Sequence, residues 1–515
     1  MKNAVTGFLG SIRLKIGNFV SGFSRKFPRT ASFLGVLRRR RRPIRALLHV
    51  VFHAVGLVCS VFAVMQSRTE QGAVAWAISL NTVPIVAVPA WFVFGDSKLD
   101  SYTASRTAGL EKLRPYAESL VENLEGFESK GTDGSRICRT LEKLASMPMT
   151  RGNHVDLLVD GKNTFDSIFD AIEKAEEYIL VQFYIVRDDE LGGKLKDKLI
   201  EKAKEGVRVR LLVDNYGALG LPDRYFGELR EAGVDANYFM ELSGEANRFQ
   251  LNFRNHRKLV VVDGKVGFVG GHNVGDEYLG YHPTLTPWRD SHIRMEGPVV
   301  KTLQIPFVED WHWATGEVLE DLEWEITEDD LAGEMDALCL ATGPADPMET
   351  CAMFFLTAIN EAEDRVWIAT PYFVPDDKIV TALQLAAVRG VDVRVLMPDL
   401  SDSRLVYLSS FSYLKELEQA GVKLYRYEKG FLHQKAVLID DRISSIGSAN
   451  FDNRSFRLNF EITGIVDDPA FNQDVAEMFE TDFSNSRRAK SEDYTEEGFF
   501  FRLQVRLARL LAPIQ

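Results

Sequence analysis

Cysteine is scarce in this chain, which has only Cys59, Cys138, Cys339 and Cys351 among 515 residues. Their scattered positions fit neither a disulfide framework nor a metal site built from cysteine ligands. The chain also lacks a carboxylate cluster of the kind that holds the ions of a two-metal phosphotransferase. We therefore expect the cysteines to serve packing, and we expect chemistry that uses no metal and no other cofactor.

Acidic residues are absent from the first 45 residues, which contain twelve Lys or Arg. The whole chain has a formal net charge of −13, so residues 46–515 carry −25. An acidic body disfavours nucleic acid as a partner, because phosphate contacts require clustered cations. The basic arm, residues 1–45, instead suits an anionic membrane surface. An organelle transit peptide is the alternative for residues 1–37, and we favour an interfacial amphipathic arm.

Two long apolar stretches follow the basic arm, at residues 46–65 and 73–94. A helix of about 20 residues can cross the hydrocarbon core of a bilayer, so both are candidate spans. The short connection at 66–72 predicts a two-helix transmembrane hairpin over residues 46–95, and Pro84 and Pro89 are expected to bend its second helix or mark a partial re-entry. A cleaved signal peptide fits poorly, because the apolar region starts late and a second stretch follows. Two buried helices of a soluble core are the remaining alternative.

The flanking charges predict an orientation. Five consecutive arginines, at 38–42, and Arg45 precede the first stretch, whereas Arg68 is the only cation of the connection. Cytoplasmic flanks carry the excess of Lys and Arg, so the N-terminus and, after two crossings, the catalytic body are expected on the cytoplasmic face. We expect a multi-pass protein of the cell inner membrane.

The most informative pattern is His-x-Lys-x4-Asp, which occurs twice. The first copy is His256, Lys258 and Asp263, and the second is His433, Lys435 and Asp440. Each His is followed seventeen residues later by an asparagine, and the two copies lie 177 residues apart. Those asparagines are Asn273 and Asn450. Two copies with the same internal spacing indicate a duplicated half-site whose chemistry needs both halves.

Local geometry explains the spacing within each copy. The residues from each Lys to its Asp read as a short apolar strand ending in a turn, and a second short strand then returns the Asn toward the same end. Residues i and i+2 of a strand point to one face, so each His projects together with its Lys. Each copy thus offers an imidazole, an ammonium and an amide on one surface.

Two such surfaces facing each other suit a phosphodiester. The Lys and Asn groups can hold the non-bridging oxygens as negative charge develops. One imidazole can attack phosphorus while the other protonates the leaving oxygen. The residue pattern alone does not say which of His256 and His433 is the nucleophile.

A carboxylate on the far ring nitrogen would fix the tautomer of each histidine. Glu461, 28 residues after His433 on an apparent strand at 461–466, is the candidate in the second copy. Asp290 is the candidate in the first copy, where an insertion near 278–287 obscures the matching strand. The alternative for all of these groups is that they are ordinary solvated strand ends.

The duplicated motif resembles that of the phospholipase D superfamily, and the wider sequence over residues 46–515 is similar to bacterial-type cardiolipin synthases. The segments that carry this resemblance are Phe253-Arg-Asn-His256, Gly270-Gly-His-Asn273, Trp288-Arg-Asp290, Thr370-Pro-Tyr-Phe-Val-Pro-Asp376 and Gly447-Ser-Ala-Asn-Phe-Asp-Asn-Arg-Ser455. The resemblance implies two pseudo-symmetric α/β/α halves, a phosphohistidine-type intermediate with His256 as nucleophile and His433 as general acid, and no metal. It also implies transfer of a phosphatidyl group between two phosphatidylglycerol molecules to give cardiolipin. The basic N-terminal extension departs from the family pattern.

The remaining chain divides simply. We expect a linker at 96–150, a first half at 151–335, a second half at 336–490 and a C-terminal segment at 491–515. In the first half, strands at 178–186 and 207–213 flank a helix at 189–205; in the second, strands at 365–373 and 391–397 flank a helix at 377–389. The C-terminal residues 499–511 predict a basic amphipathic helix that lies on the bilayer or docks on the body.

Three functional classes stay open at this level. Phosphatidyl transfer is favoured, hydrolysis of phospholipid or nucleic acid by the same site is second, and a catalytically silent membrane scaffold is third. Transfer and hydrolysis differ only in whether an alcohol or water accepts the phosphatidyl group. The sequence does not reveal the acceptor lipid, and it leaves a homo-oligomer open.

Overall fold

The computed structural model describes residues 41–67, 69–95, 123–129, 136–239 and 252–515. The chain forms two compact units, Met1–Ser97 and Lys98–Gln515. Residues 1–40 of the basic arm and residues 96–122 of the expected linker lie outside the described residues.

The described part of the first unit consists of helices α1 (Arg41–Gln66), α2 (Glu70–Thr82) and α3 (Pro84–Phe94). Helix α1 packs against α2 and α3. At Gly56 the helices approach so closely that a Cβ atom would collide with the carbonyl oxygen of Leu80. Asn81 donates a hydrogen bond of 2.7 Å to the Ser60 hydroxyl, so a polar contact also links α1 to α2.

The second apolar stretch, residues 73–94, was expected to be a helix bent at Pro84 and Pro89 or a partial re-entry, and it forms two separate helices that divide at Pro84. Helix α2 ends before Val83, and Pro84 begins α3 because proline lacks the N–H that would continue the first helix. The two helices have 13 and 11 residues, short of the roughly 20 that a span requires. Among the described residues, only Ala46–Gln66 is a helix long and apolar enough to cross a membrane.

The described part of the second unit is a mixed sheet flanked by helices. Its strands are β1 (Thr150–Val159), β2 (Tyr178–Phe183), β3 (Arg208–Val213), β4 (Asp235–Tyr238), β5 (Arg254–Asn255), β6 (Leu259–Val262), β7 (Val266–Gly270), β8 (Trp288–Arg289), β9 (Ser291–Glu296), β10 (Met335–Thr342), β11 (Arg365–Ala369), β12 (Phe373–Val374), β13 (Asp392–Pro398), β14 (Lys423–Tyr427), β15 (Phe431–Leu432), β16 (Ala436–Ile439), β17 (Ile443–Gly447), β18 (Phe451–Asp452), β19 (Asn459–Asp467) and β20 (Ser486–Ala489). Its helices are α4 (Arg136–Ala145), α5 (Asp160–Glu173), α6 (Glu190–Lys204), α7 (Asp223–Glu231), α8 (Val299–Thr315), α9 (Thr350–Glu361), α10 (Asp377–Val388), α11 (Arg404–Ser410), α12 (Leu414–Ala420), α13 (Asn453–Arg457), α14 (Pro469–Ser484), α15 (Glu492–Thr495) and α16 (Phe499–Arg509).

The main sheet runs in the order β20-β14-β13-β11-β16-β17-β19-β10-β1-β9-β7-β6-β2-β3-β4, and β5 pairs with β19 outside this path. Strands β2, β3 and β4 are parallel, and so are β11, β13 and β14. The hairpin β6–β7 joins the first group, and the hairpin β16–β17 joins the second. Strand β1 lies in the middle and pairs with both β9 and β10.

Strand periodicity explains how helices cover both faces of this sheet. Alternate side chains of a strand point to opposite faces. In β2, Ile179 and Val181 pack with α5 and α6, whereas Tyr178 and Leu180 pack with α8. Strands buried on both faces read as continuous apolar runs, as β2 does. The core containing Tyr178 and Leu180 also contains Trp367 and Ala369 of β11, so a single core extends across the middle of the sheet.

The mixed α/β class predicted from the sequence is confirmed. The helix expected at 189–205 is α6, and the helix expected at 377–389 is α10. The strand expected at 365–373 is divided into β11 and the short β12. The proposed domain boundaries stay predictions.

Candidate active site

Two short cross-sheet pairings bring the histidines together with residues distant in sequence. Strand β5, just before His256, pairs in parallel with the start of β19, and the His256 amide donates to the carbonyl of Phe460. Strand β15, just before His433, pairs in parallel with β8, and the His433 amide donates to the carbonyl of Arg289. Each histidine therefore lies next to a strand from the other copy of the motif.

As a result, each histidine is oriented by the carboxylate that belongs to the other copy of the motif. The Nδ1–H of His256 donates to Glu461, with 2.9 Å between Nδ1 and Oε2, and that of His433 donates to Asp290 Oδ2 at 2.7 Å. The sequence reasoning placed each carboxylate with the histidine of its own copy, which is wrong. The physical reason is the strand pairing. Strand β19, which contains Glu461, lies beside the strand that precedes His256, and β8, which directly precedes Asp290, lies beside the strand that precedes His433.

Glu461 is held by a complete set of donors. It is fully buried, and its oxygens accept from the hydroxyls of Ser448 and Ser455 and from the side-chain amide of Asn459 at 3.1 Å. Burial by itself raises the pKa of this carboxyl, but the His256 ring, Lys258 and the Ser448 hydroxyl lower it below its usual value. Glu461 is thus ionised and fixed in position. Sequence reasoning missed both serines, although they lie in the 447–455 segment that carries the family likeness.

Burial favours the neutral form of both imidazoles. It lowers the pKa of His256 to about 4, against the opposing effect of Glu461, and lowers that of His433 well below its usual value. Aromatic rings enclose both: Tyr184 lies 5.1 Å from the ring of His256, and Trp288 lies 5.1 Å from the ring of His433. With Nδ1–H directed at a carboxylate, Nε2 of each ring is the nitrogen that carries the lone pair, which a nucleophile requires.

The two lysines lie beside their histidines in the interior. Lys258 Nζ donates to the His256 carbonyl at 2.6 Å, and Lys435 Nζ donates to the carbonyl of His433. Lys435 Nζ also lies 2.8 Å from Nδ1 and 3.2 Å from Nε2 of His433. Because Asp290 needs the proton on Nδ1, Nε2 is the ring atom that can accept from Lys435. Burial lowers the pKa of Lys258 well below its usual value, and an anionic phosphate between the two amines favours their charged form. Two buried amines beside two imidazoles therefore form a site for an anionic phosphate.

Lys435 predicts an alkaline limit to activity. Burial lowers the pKa of Lys435 to about 8, against the attraction of Asp290 and Glu461. The ammonium exists below its pKa, so kcat/KM should fall as the pH rises through about 8. In Lys435→Arg, whose guanidinium stays charged, this fall should move to higher pH even if the maximal rate is lower. The pH profile of kcat/KM measures the effect, and an unmoved alkaline limb would assign it to another group.

The two asparagines have different surroundings. The Asn273 side chain accepts from the backbone N–H of Ile185 at 3.2 Å and donates to the Tyr278 hydroxyl at 2.8 Å. Asn450 is also buried, but its side-chain oxygen has no hydrogen-bond partner in the part of the chain that the structure describes. Asn273 is therefore engaged with the protein itself, and Asn450 keeps more of its side chain for a ligand.

Asp263 and Asp440 bind backbone amides at the other end of their strands from the lysines. Asp263 accepts from the N–H groups of Glu176, Glu177 and Tyr178, each at 2.8 Å. Asp440 accepts in the same way from the backbone at 363–365. Both residues have φ of 51°, the left-handed conformation that Asp and Asn tolerate. These contacts fix the hairpins β6–β7 and β16–β17, and the inclusion of both residues in the catalytic set stays a prediction.

Asp263→Asn should therefore lower stability more than chemistry. Asn keeps the left-handed backbone but cannot accept three amide bonds with a full charge, a loss of about 1.5–3 kcal/mol. We expect a lower midpoint of thermal unfolding in detergent micelles, and a kcat within about tenfold of the parent for the folded fraction. Lys258→Ala, which removes a site cation, should show the opposite balance. A variant that melts like the parent but has lost turnover would support Asp263 as a member of the catalytic set.

A second buried network, which sequence reasoning missed, supports the His256 strand. Asp310 of α8 accepts from Arg257 at 2.6 Å and from the side-chain amides of Gln182 and Asn255, each at 2.7 Å. Arg257 also donates to the backbone carbonyl of Glu461. Arg257 thus links the segment next to His256 to the backbone of Glu461, the carboxylate that orients this histidine. No local pattern marks Asp310, because its partners come from two distant segments, one with Gln182 and one with Asn255 and Arg257.

Comparison with known proteins gives consistent matches. A family model described as the PLD-like domain of cardiolipin synthase matches residues 168–283 and 355–483. The chain is 46% identical over 475 residues to cardiolipin synthase A of Pseudomonas putida, covering 90% of this chain and 96% of that protein. It is also 46% identical over 478 residues to cardiolipin synthase A of Pseudomonas fluorescens, covering 91% of this chain and 98% of the relative.

A solved structure is similar in fold. The phosphatidylserine synthase of Haemophilus influenzae superimposes with a TM-score of 0.58, covering 74% of this chain and 100% of that chain. The two sequences are 15% identical, so this likeness concerns the fold alone.

Proposed function

From the premise that this chain belongs to the family of bacterial cardiolipin synthases with phospholipase D-like domains, we propose that its paired histidines transfer a phosphatidyl group from one phosphatidylglycerol to another. The enzyme is a phosphatidyltransferase, and its substrates are phospholipids. The observation that carries the site assignment is the crossed pairing of His256 with Glu461 and of His433 with Asp290. Two oriented neutral imidazoles beside two buried lysines are the groups that such a transfer requires.

In the first step, Nε2 of His256 attacks the phosphorus of the donor lipid. A P–N bond forms, the P–O bond to the glycerol headgroup breaks, and His433 donates a proton to the leaving oxygen. Burial keeps the pKa of His433 low, and a bound phosphate anion raises it, so the substrate itself brings the acid into its protonated working state. Lys258 and Lys435 neutralise the charge that builds on the non-bridging oxygens.

In the second step, His433 accepts a proton from a hydroxyl of the second phosphatidylglycerol. The hydroxyl oxygen attacks phosphorus, the P–N bond to His256 breaks, and cardiolipin leaves. The assignment of His256 as nucleophile rests on the resemblance to the family and on its fully hydrogen-bonded partner Glu461. The buried lysines supply the positive charge that a metal provides in other phosphotransferases.

The repeated strand order supports a proposal of two pseudo-symmetric halves. Three parallel strands are followed by an antiparallel hairpin on each side of the sheet: β4, β3, β2, β6, β7 inward from one edge, and β14, β13, β11, β16, β17 on the other side, where β20 forms the edge outside β14. Strands β9 and β1 follow the first hairpin, and β19 and β10 follow the second. This correspondence matches the two copies of the sequence motif.

The first unit supports the proposal of a membrane anchor that crosses the bilayer twice. The outer surface of α1 is formed by exposed apolar side chains such as Leu47, Val50 and Leu57, a surface suited to lipid. The hydrogen bond between Asn81 and Ser60 joins α1 to the returning helices, as polar side chains do between helices in membranes. The arginines at 38–42 and Arg45 favour the proposal of an N-terminus, and after two crossings a catalytic unit, on the cytoplasmic side.

Product analysis tests the proposed function. Full-length protein in mixed micelles with labelled phosphatidylglycerol should release glycerol and form labelled cardiolipin. Glycerol added to enzyme and cardiolipin should regenerate phosphatidylglycerol, because glycerol is the product of the forward step. Release of phosphatidic acid as the main product, with no response to glycerol, would identify a hydrolase instead.

A further inference from the structure

Helix α16 is attached to the catalytic unit by one narrow apolar face. Val505 and Ala508 are buried, and the ring of Phe501 lies 5.3 Å from the ring of Phe411. Residues 501, 505 and 508 are spaced i, i+4 and i+7, so they form one stripe along the helix. This stripe packs on α11 and on the turn that follows it. The docking on the protein body that the sequence left open is therefore present.

The same helix and the turn after it expose a second, wider apolar face, called here the outer face of α16. Its six side chains are between 41% and 78% exposed. They are Phe499, Phe500, Leu503, Leu507, Leu510 and Leu511. At 100° per residue these positions cluster on the side opposite the docked stripe. One helix thus has two apolar faces, and only the narrower one is covered in the described structure.

The composition of the outer face points to a bilayer as its occupant. Interfacial helices combine large apolar side chains with Arg or Lys along their border. Arg502 and Arg506 lie along one border of the outer face, and both are exposed. Arg506 also donates to the Tyr494 hydroxyl, so this cation is held in place beside the apolar side chains. Arginine at that border suits anionic phospholipid.

Helix α11 links α16 to the surroundings of the second histidine. Helix α16 packs on α11, whose Leu405 is also exposed. Just before α11, Asp402 accepts a hydrogen bond from the Tyr372 hydroxyl, and its charge is close enough to Lys435 for each to shift the pKa of the other. The helix on which α16 docks therefore begins next to a residue that interacts with the site.

The end of the chain connects α16 to the other histidine. The carbonyl of Gln515 accepts from the backbone N–H of Arg454 in α13. The next residue, Ser455, donates its hydroxyl to Glu461 at 2.8 Å. Glu461 in turn orients His256, so Ser455 and Glu461 connect the C-terminal segment to the proposed nucleophile. A displacement of α16 would therefore act on the site and not only on the surface.

We propose that the outer face of α16 is a bilayer-docking surface that holds the entrance of the active site against the phospholipid that the enzyme uses. This inference rests on the proposed function, because only an enzyme with lipid substrates needs the entrance of its active site at the bilayer. The six side chains enter the interface between headgroups and acyl chains, and Arg502 and Arg506 remain at headgroup level.

A fluorescent label tests the docking directly. The four native cysteines are buried, so a new surface cysteine can be labelled selectively in the full-length protein. An environment-sensitive dye on Leu507→Cys should shift its emission to the blue in phosphatidylglycerol vesicles and should be quenched by lipids that carry a quencher on the acyl chain. The matched control is Val388→Cys, since Val388 is 72% exposed on a different helix, α10. Equal, unquenched emission from both positions would overturn the proposal.

Turnover gives the second readout. The triple variant Phe500→Ser, Leu507→Ser, Leu510→Ser should lose about tenfold or more of its turnover on vesicle phosphatidylglycerol, since tenfold corresponds to about 1.4 kcal/mol and three apolar side chains can supply more than this. Turnover of dissolved short-chain phosphatidylglycerol should be unchanged. The control Leu385→Ser, Val388→Ser, which alters two exposed apolar residues of α10, should behave like the parent on both substrates.

The outcomes separate the two proposals. Equal vesicle turnover in the triple variant and the parent would overturn the docking surface and leave the proposed function intact. Equal losses on vesicles and on short-chain lipid would also overturn it, because the helix would then act on the site alone. Parent enzyme that makes no cardiolipin from either substrate would overturn the proposed function, while the label at residue 507 would still report whether the face contacts lipid.

Discussion

Enzyme with alanine in place of His256 should form no covalent phosphatidyl adduct and no cardiolipin. Wild-type protein mixed with labelled phosphatidylglycerol and denatured rapidly at alkaline pH should carry the label on one histidine, in a bond that survives base and breaks in acid. His256→Ala removes the atom that forms this bond, so turnover should fall by at least about 10⁴-fold. Peptide mapping of the labelled protein locates the adduct.

His433→Ala is the matched control for this experiment. It removes an equally buried imidazole whose role is proton transfer, typically worth about 10²–10⁴-fold, so some labelling of His256 should persist. A label found only on His433 would reverse the two roles. No adduct on either histidine under rapid quench would count against the covalent scheme as a whole.

The crossed carboxylates predict which variant a better leaving group can rescue. Glu461→Gln and Asp290→Asn should each lower kcat with natural lipid by about 10²–10⁴-fold, because each leaves an imidazole without its ionised partner. Glu461 contacts His256, the proposed nucleophile, and Asp290 contacts His433, the proposed acid. A phosphatidyl ester of p-nitrophenol needs no proton on its leaving oxygen. It should restore adduct formation in Asp290→Asn but not in Glu461→Gln.

Release of p-nitrophenol in the first turnover gives the measurement. His433→Ala should be rescued together with Asp290→Asn, because both changes disable protonation of the leaving group. Rescue of Glu461→Gln in place of Asp290→Asn would mean that each carboxylate serves the histidine of its own half in the working enzyme.

The sequence predicted the parts of the site that depend on short-range geometry. Period-two alternation places Lys258 with His256 and Lys435 with His433, and strands β6, β7, β16 and β17 lie where the apolar runs indicated. It did not predict the carboxylate partners, because those depend on two-residue pairings between β5 and β19 and between β8 and β15. Such short parallel contacts leave no periodic signal in either segment.

Two other differences have local causes. Proline at 84 divides the second apolar stretch, because a residue without an N–H ends one helix and starts the next. Asp263 belongs to the motif by spacing, but the strand that separates it from Lys258 carries its carboxylate to a turn, where three amides bind it. Sequence spacing identified Asp263 as part of the motif, and only its hydrogen bonds indicate that it holds the turn in place.

The exchange of carboxylates between the copies bears on how this protein is made. When the ribosome has translated the chain as far as Asp290, His256 and Lys258 have been made. Glu461, which orients His256, and His433, which Asp290 orients, are not yet translated. Until β19 is made, the emerged polypeptide holds the proposed nucleophile without its orienting group. We therefore expect a nascent chain to be inactive toward lipids, and activity to begin only when synthesis is nearly finished.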